Sequence, residues 1–247
     1  MKITPRTKGI IDEGHRYRYE GDLISDENID CRSLDKELYV DGVIESGGSI
    51  RAGRSIKADK SIQADECIQT DESIEAGWSI WAGVFIKAGR SIGASEFIKA
   101  EGVIKAGEFI SAGGSIEASG SIRAGGSIEA GGSIEAGRFI EAGRLIGAGE
   151  YIEAGEYIEA GWSILARLSI VARSTITVGL VAFAGCCTWK EIKDEDKLIK
   201  CTKFNGKVGY GILEETEEDT KHIITIDGKE IKVSEESYIE LKKSLLD

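Results

Sequence analysis

The chain has 247 residues, enough for one or two domains, with 31 Lys plus Arg against 43 Asp plus Glu and a net charge of −12. That balance disfavours direct binding to nucleic acid or an anionic membrane, which need basic surface. No stretch reaches the roughly 20 apolar residues of a membrane span, and MKITPRTKGI lacks the apolar core of an export signal; a location in the bacterial cytoplasm is expected. Five scattered cysteines, Cys31, Cys67, Cys186, Cys187 and Cys201, read as reduced thiols.

Residues 1–37 lack any repeat. The short strand-like runs in HRYRYEGDLISDENIDC predict an N-terminal cap, since an uncapped stack of strands exposes edges that invite association.

Residues 38–179 predict a parallel β-helix. Isoleucine recurs every six residues from Ile44 to Ile176, 23 in unbroken register, and Leu38 extends the series. Two residues after each isoleucine stands Ala in 20 of 23 cases, and three after stands Gly, Asp or Ser in 20 of 23. Residues two apart on an extended chain share a side, so Ile and Ala point inward together. The residue between them points out, and the next position turns the chain, where Gly, Asp and Ser suit turn geometry. A helix cannot hold one face at a six-residue period. Three hexads per coil predict seven to eight coils. The fold expected is all-β, a single-stranded parallel solenoid with a small α+β C-terminal module.

Residues 180–247 predict that module. LVAFAGCCTW looks buried. KLIKCTKF and KVGYGIL flank Asn205-Gly206, and HIITI and KEIKV flank Asp227-Gly228; both read as hairpins. SEESYIELKKSLLD reads as a closing helix with Ser234 as N-cap, Glu235 and Glu236 in its first turn, and Lys242 and Lys243 near its end.

The Ile-x-Ala-Gly hexads resemble the left-handed hexapeptide β-helices best known from acyltransferases, and the bactofilins, bacterial cytoskeletal polymers. The resemblance covers residues 38–179. The hexapeptide family usually orders its hexad small residue, large aliphatic, turn, whereas here Ile precedes Ala. The C-terminal module resembles those of uncharacterised proteins of Gram-positive phages and prophages. The acyltransferase resemblance implies a catalytic histidine and loops leaving the coil. Residues 44–179 contain neither, and His15 and His222 lie outside. No catalytic residue, metal site or cofactor is expected.

Out-facing departures from the polar pattern point to interfaces. Trp78, Trp81, Phe85, Phe97 and Phe109 are candidate partner contacts, together with Glu117, Glu135 and Glu153, which three-hexad folding stacks on one side. A second side stacks Lys87, Lys105 and Arg123, then Glu141 and Glu159. Phe139, Tyr151, Tyr157, Trp162, Leu165 and Leu168 are candidates for a homodimer contact or for docking the C-terminal module. The expected function is non-enzymatic binding of a protein partner. The sharpest form is a phage or mobile-element inhibitor of a host nucleic-acid-handling or defence enzyme, an anti-CRISPR or DNA mimic. The alternative is a scaffold, either a bactofilin-like polymer or a virion component.

Overall fold

A computed structural model of the chain describes residues 1–187, 191–216, 222–226, 229–233 and 242. The backbone winds into a parallel β-solenoid in which every third hexad returns to the same side. Three sheets of ten, eleven and twelve strands form its sides. Face I carries strands from Ile29–Asp30 to Lys203–Asn205, face II from the edge strand Ile10–Asp12 to Val208–Tyr210, and face III from Leu23–Ser25 to Ile212–Glu215. At about 4.8 Å per rung, eleven coils make a column on the order of 50 Å long.

Register is strict. Ile68 lies beside Ile50 and Ile86, Ile74 beside Ile56 and Ile92, and Ile80 beside Ile62 and Ile98. The N–H of each such isoleucine donates to a carbonyl of the following coil, as from Ile80 to Phe97 and Ile122 to Phe139, both 3.0 Å. The turn residue donates back to the preceding coil, as from Gly77 to Ala58 at 2.9 Å. These two bonds satisfy the backbone on both sides of each rung. The 23 isoleucines are 0–1% exposed, so burial contributes roughly 1.5–3 kcal/mol per residue before entropy is subtracted.

The glycines after each alanine have a different cause from the expected one. None of those between residues 38 and 179 has positive φ. A Cβ on Gly77 would lie 2.0 Å from the Asp59 carbonyl oxygen, and one on Gly149 1.8 Å from that of Gly131. At these two corners close approach of successive coils, not a positive φ, favours glycine.

Both ends differ from expectation. Residues 16–30 are strands of the column, paired in parallel with Glu37–Val40, Ile44–Ser46 and Ile50–Ala52. Met1–Asp12 closes this end. Ile3 is fully buried and donates its N–H to Asp30 at 2.8 Å, while Ile10–Asp12 runs antiparallel along Arg16–Tyr19. At the other end the hairpin expected around Asn205-Gly206 does not form. Lys203–Asn205 pairs in parallel with Thr175–Val178, and Val208–Tyr210 with Val181–Ala184. The positive φ of Gly206 turns a corner of the coil. Phe204 thereby lands on Ile176, and Val208 on Ala182. Continuing the ladder packs these side chains on a formed core, whereas a lone hairpin is marginal in water.

The second expected hairpin is present: His222–Ile226 pairs antiparallel with Lys229–Val233. Its Asp227-Gly228 turn lies outside the described residues. So does the expected closing helix, including Ser234, Glu235, Glu236 and Lys243, apart from Lys242.

Ile122→Ala should destabilise the column by about 2–5 kcal/mol, since the stacked neighbours cannot collapse into the gap. Ile24→Ala, at a site 56% exposed, should shift stability by no more than about 0.5 kcal/mol. Denaturant unfolding of the two variants checks the contrast.

Candidate functional site

A rung of three hexads turns the out-facing sequence into a lattice, in which each side chain lies beside its counterparts one coil before and one coil after. On face III the row after the isoleucine reads Gln63, Trp81, Lys99, Glu117, Glu135 and Glu153. Trp78 stands at the corner leading into this face, 50% exposed, with the Lys60 ammonium 6.0 Å from its ring centroid. Phe97, 43% exposed, sits one rung along and accepts the Ile80 N–H through its carbonyl. Trp78, Trp81 and Phe97 thus occupy two adjacent rungs around Ser79. The Ser79 hydroxyl is fixed by Glu96 at 3.2 Å.

Along the row, Lys99 separates Trp81 from the acidic residues. Lys99 bonds both Glu117 oxygens at 3.0 Å, and this bond holds the Lys99 ammonium above its ordinary pKa. Glu135 accepts the Tyr151 hydroxyl. Glu153 is exposed beside Val171. From Trp81 to Glu153 the row spans four rung steps, on the order of 19 Å. It offers an apolar head, the Lys99–Glu117 ion pair and the further stacked carboxylates of Glu135 and Glu153 on one side. Such an arrangement suits a basic surface carrying an apolar pocket.

The other expected partner contacts lie elsewhere. Phe85 is half-buried on face I and Phe109, 43% exposed, is on face II. The aromatic residues therefore divide among three sides, because neighbouring hexads always fall on different faces. Phe109 borders a shallow depression of about 430 Å³ lined by Lys57, Glu75, Gly93 and Ser111.

Three residues expected at a dimer or docking contact have partners within their own faces. Phe139 and Tyr157 stack with centroids 4.9 Å apart, and Arg123 lies 5.0 Å above Phe139. Arg123 and Tyr157 both donate to Glu141. Burial raises the Glu141 carboxyl, but these two donors outweigh it and hold it below its ordinary value. Burial first, then the bond to Glu141, pushes the Tyr157 phenol up to about 12. Tyr151 is raised by its bond to Glu135 and then by burial. Trp162 and Leu165 are 54% and 42% exposed. Leu168 is half-buried at another corner, where its carbonyl accepts Gly185 N–H at 2.8 Å.

The hexad pattern also left some apolar surface unnoticed. Val84, Val103 and Leu180 are 48%, 42% and 62% exposed. Their signal was available: each occupies a place that Ser, Gly or a charged residue takes in most repeats. Three of the five cysteines are packing residues, while Cys67 is half-buried and Cys186 exposed. Cys31, Cys187 and Cys201 are buried, and burial pushes the Cys31 thiol up to about 12.

No known protein family matches the chain, and neither does any curated protein or solved structure.

Tyr157 should titrate near 12 in an NMR experiment with ring-labelled tyrosine. In Glu141→Gln its midpoint should fall only part of the way back, because burial is the larger cause. An ordinary phenol midpoint in the unsubstituted protein would contradict this packing.

Proposed function

We propose that the protein is a non-enzymatic solenoid that binds a protein partner through face III. The carrying observation is that exposed Trp78 and Phe97 gather with half-buried Trp81 at one end of face III, where Lys99 and then an acidic ladder follow Trp81 along its row. Trp78, Trp81 and Phe97 enter an apolar pocket of the partner, and Glu117, Glu135 and Glu153 oppose its basic surface. Aromatic residues at such sites supply most binding energy, and charge complementarity supplies orientation and speed. In its sharpest form the partner is a nucleic-acid-handling or defence enzyme of a bacterial host, whose basic groove face III occupies in place of nucleic acid. A solenoid carried by a phage or mobile element, working in the host cytoplasm, fits this role. That step rests on analogy with other acidic solenoids.

A polymeric scaffold, the bactofilin-like alternative, stacks solenoids through bare ends. Here Met1–Asp12 covers the N-terminal end, with Ile3 fully buried, and this disfavours end-to-end growth.

Affinity capture from bacterial lysate should return a basic protein, and binding should weaken as salt rises. Trp78→Ala and Trp81→Ala should each reduce affinity by about 30-fold or more, as for a central anchor worth about 2 kcal/mol. Trp162→Ala, at a remote corner, should leave it unchanged. If the acidic ladder replaces nucleic acid, duplex DNA should compete with the protein for its partner. Retained binding in the double Trp variant would sink the assignment to face III, and filaments in negative stain would favour the scaffold.

A further inference from the structure

Face I is self-complementary, and we propose that two copies of the chain pack through it as an antiparallel homodimer. This face is distinct from face III, so the inference does not rest on the function proposed above.

The starting observation is a break in a charge rule. On the other two faces the out-facing strand lysines are paired with a carboxylate in an adjoining coil: Lys57 with Glu75 at 2.8 Å, Lys99 with Glu117 at 3.0 Å, and Lys200 with Glu214 at 2.5 Å. On face I, Lys87 lies beside Lys105, Lys105 beside Arg123, and Glu141 beside Glu159. Lys87 and Lys105 are exposed and have no hydrogen bond or ion pair among the described residues. Glu159 is likewise exposed and unpaired there. Like charges directly opposite one another in a sheet are destabilising. Exposed Val103 and half-buried Phe85 lie in the row immediately before the lysines. Val84, Phe85, Val103 and the two lysines line a dent of about 290 Å³.

The row reads Lys87, Lys105, Arg123, Glu141, Glu159, so its charge inverts about Arg123. Consider a two-fold axis lying along the strand Ile122–Ala124. It reverses the order of rungs and leaves each row facing its own counterpart. Lys105 then faces Glu141 of the second copy, and Lys87 faces its Glu159. In the preceding row Val103 meets Phe139, Phe85 meets Tyr157, and Ser121 meets itself. At the corner between faces I and II, Glu108 meets Arg144 and Arg90 meets Trp162, with Gly126 on the axis. Val84 falls at the rim, opposite Glu156.

Arg123 meets its own counterpart, but its charge is already neutralised by Glu141 and its guanidinium is fixed against Phe139. The same operation therefore sets Lys87 and Lys105 against carboxylates, covers Val103 and Phe85, and pairs Glu108 with Arg144. A two-fold contact requires this self-complementarity. The seven rungs from Cys67–Thr70 to Thr175–Val178, at about 4.8 Å each and some five extended residues wide, give roughly 550 Å² per copy. The total, about 1,100 Å², stands near the low end of specific interfaces, so the dimer should dissociate on dilution.

Sedimentation of the full chain tests this. The unsubstituted protein should show a concentration-dependent dimer. K87E/K105E makes face I acidic and E141K/E159K makes it basic, and each variant alone should be monomeric. Mixed in equal amounts they should form a heterodimer at least 10-fold tighter than either self-association. A chain carrying all four reversals should dimerise with itself again, which separates lost complementarity from lost folding. A monomeric unsubstituted protein at every concentration would overturn the proposal. So would double variants that dimerise unchanged, or a mixture and a fourfold reversal that both stay monomeric.

Discussion

The structure depends on the closing of each coil after three hexads. A β-strand must give its N–H and C=O groups to neighbours, and here the neighbours are the chain's own previous and following turns. The Ile80 N–H reaches Phe97 and the Gly77 N–H returns to Ala58 because three hexads bring the chain back over itself. Once that closure holds, isoleucine must stack on isoleucine, and alanine keeps the interior narrow enough for the walls to meet. The turn glycines follow from the same constraint. Successive corners approach so closely that a Cβ on Gly149 would strike the Gly131 carbonyl.

The same closure governs the surface. Every out-facing residue has fixed neighbours one coil away, so an ordinary-looking sequence becomes columns of charge and aromatic groups. Several columns carry lysine or arginine beside glutamate, as in Lys57–Glu75, Arg54–Glu72 and Arg138–Glu156. The acidic run on face III and the divided run on face I depart from that balance. A stack of like charges costs stability in the isolated chain and gains it back when an opposite surface is presented. The first is the proposed contact for a basic partner, and the second is the basis of the proposed homodimer. An acidic net charge and a local lysine pair are compatible because the two belong to different sides.

Much of the column was legible from the isoleucine period alone. Three strands per coil and the pairing of Glu117, Glu135 and Glu153 on one side follow from arithmetic on the sequence. The ends were less legible. Tyr17, Leu23 and Ile29 occupy inward positions at the first rungs, and Phe204, Val208 and Leu213 do so at the last. Tyr17, Leu23 and Ile29 keep the six-residue spacing, but their varied identities and the nine-residue step to Leu38 hide it; at the last rungs the spacing itself is uneven. Asn205-Gly206 carries a hairpin signal, yet a local turn preference yields to the larger gain of extending a formed core. The candidate site was legible in composition and scattered in place. Trp78, Trp81 and Phe97 converge, while Phe85 and Phe109 fall on other sides.

By itself, the sequence determined the solenoid, its three-sided coil and the rows into which its side chains sort, because a period of six repeated 23 times admits few ways to bury isoleucine. The tertiary structure decided where the column begins and ends and which exposed residues have partners. Tyr157 and Phe139 are stacked, Tyr151 is tied to Glu135, and Lys87 and Lys105 stand unpaired among the described residues. Those outcomes depend on the reach of side chains across rungs and corners. A linear period specifies adjacency, whereas contact distance and burial are properties of the folded lattice.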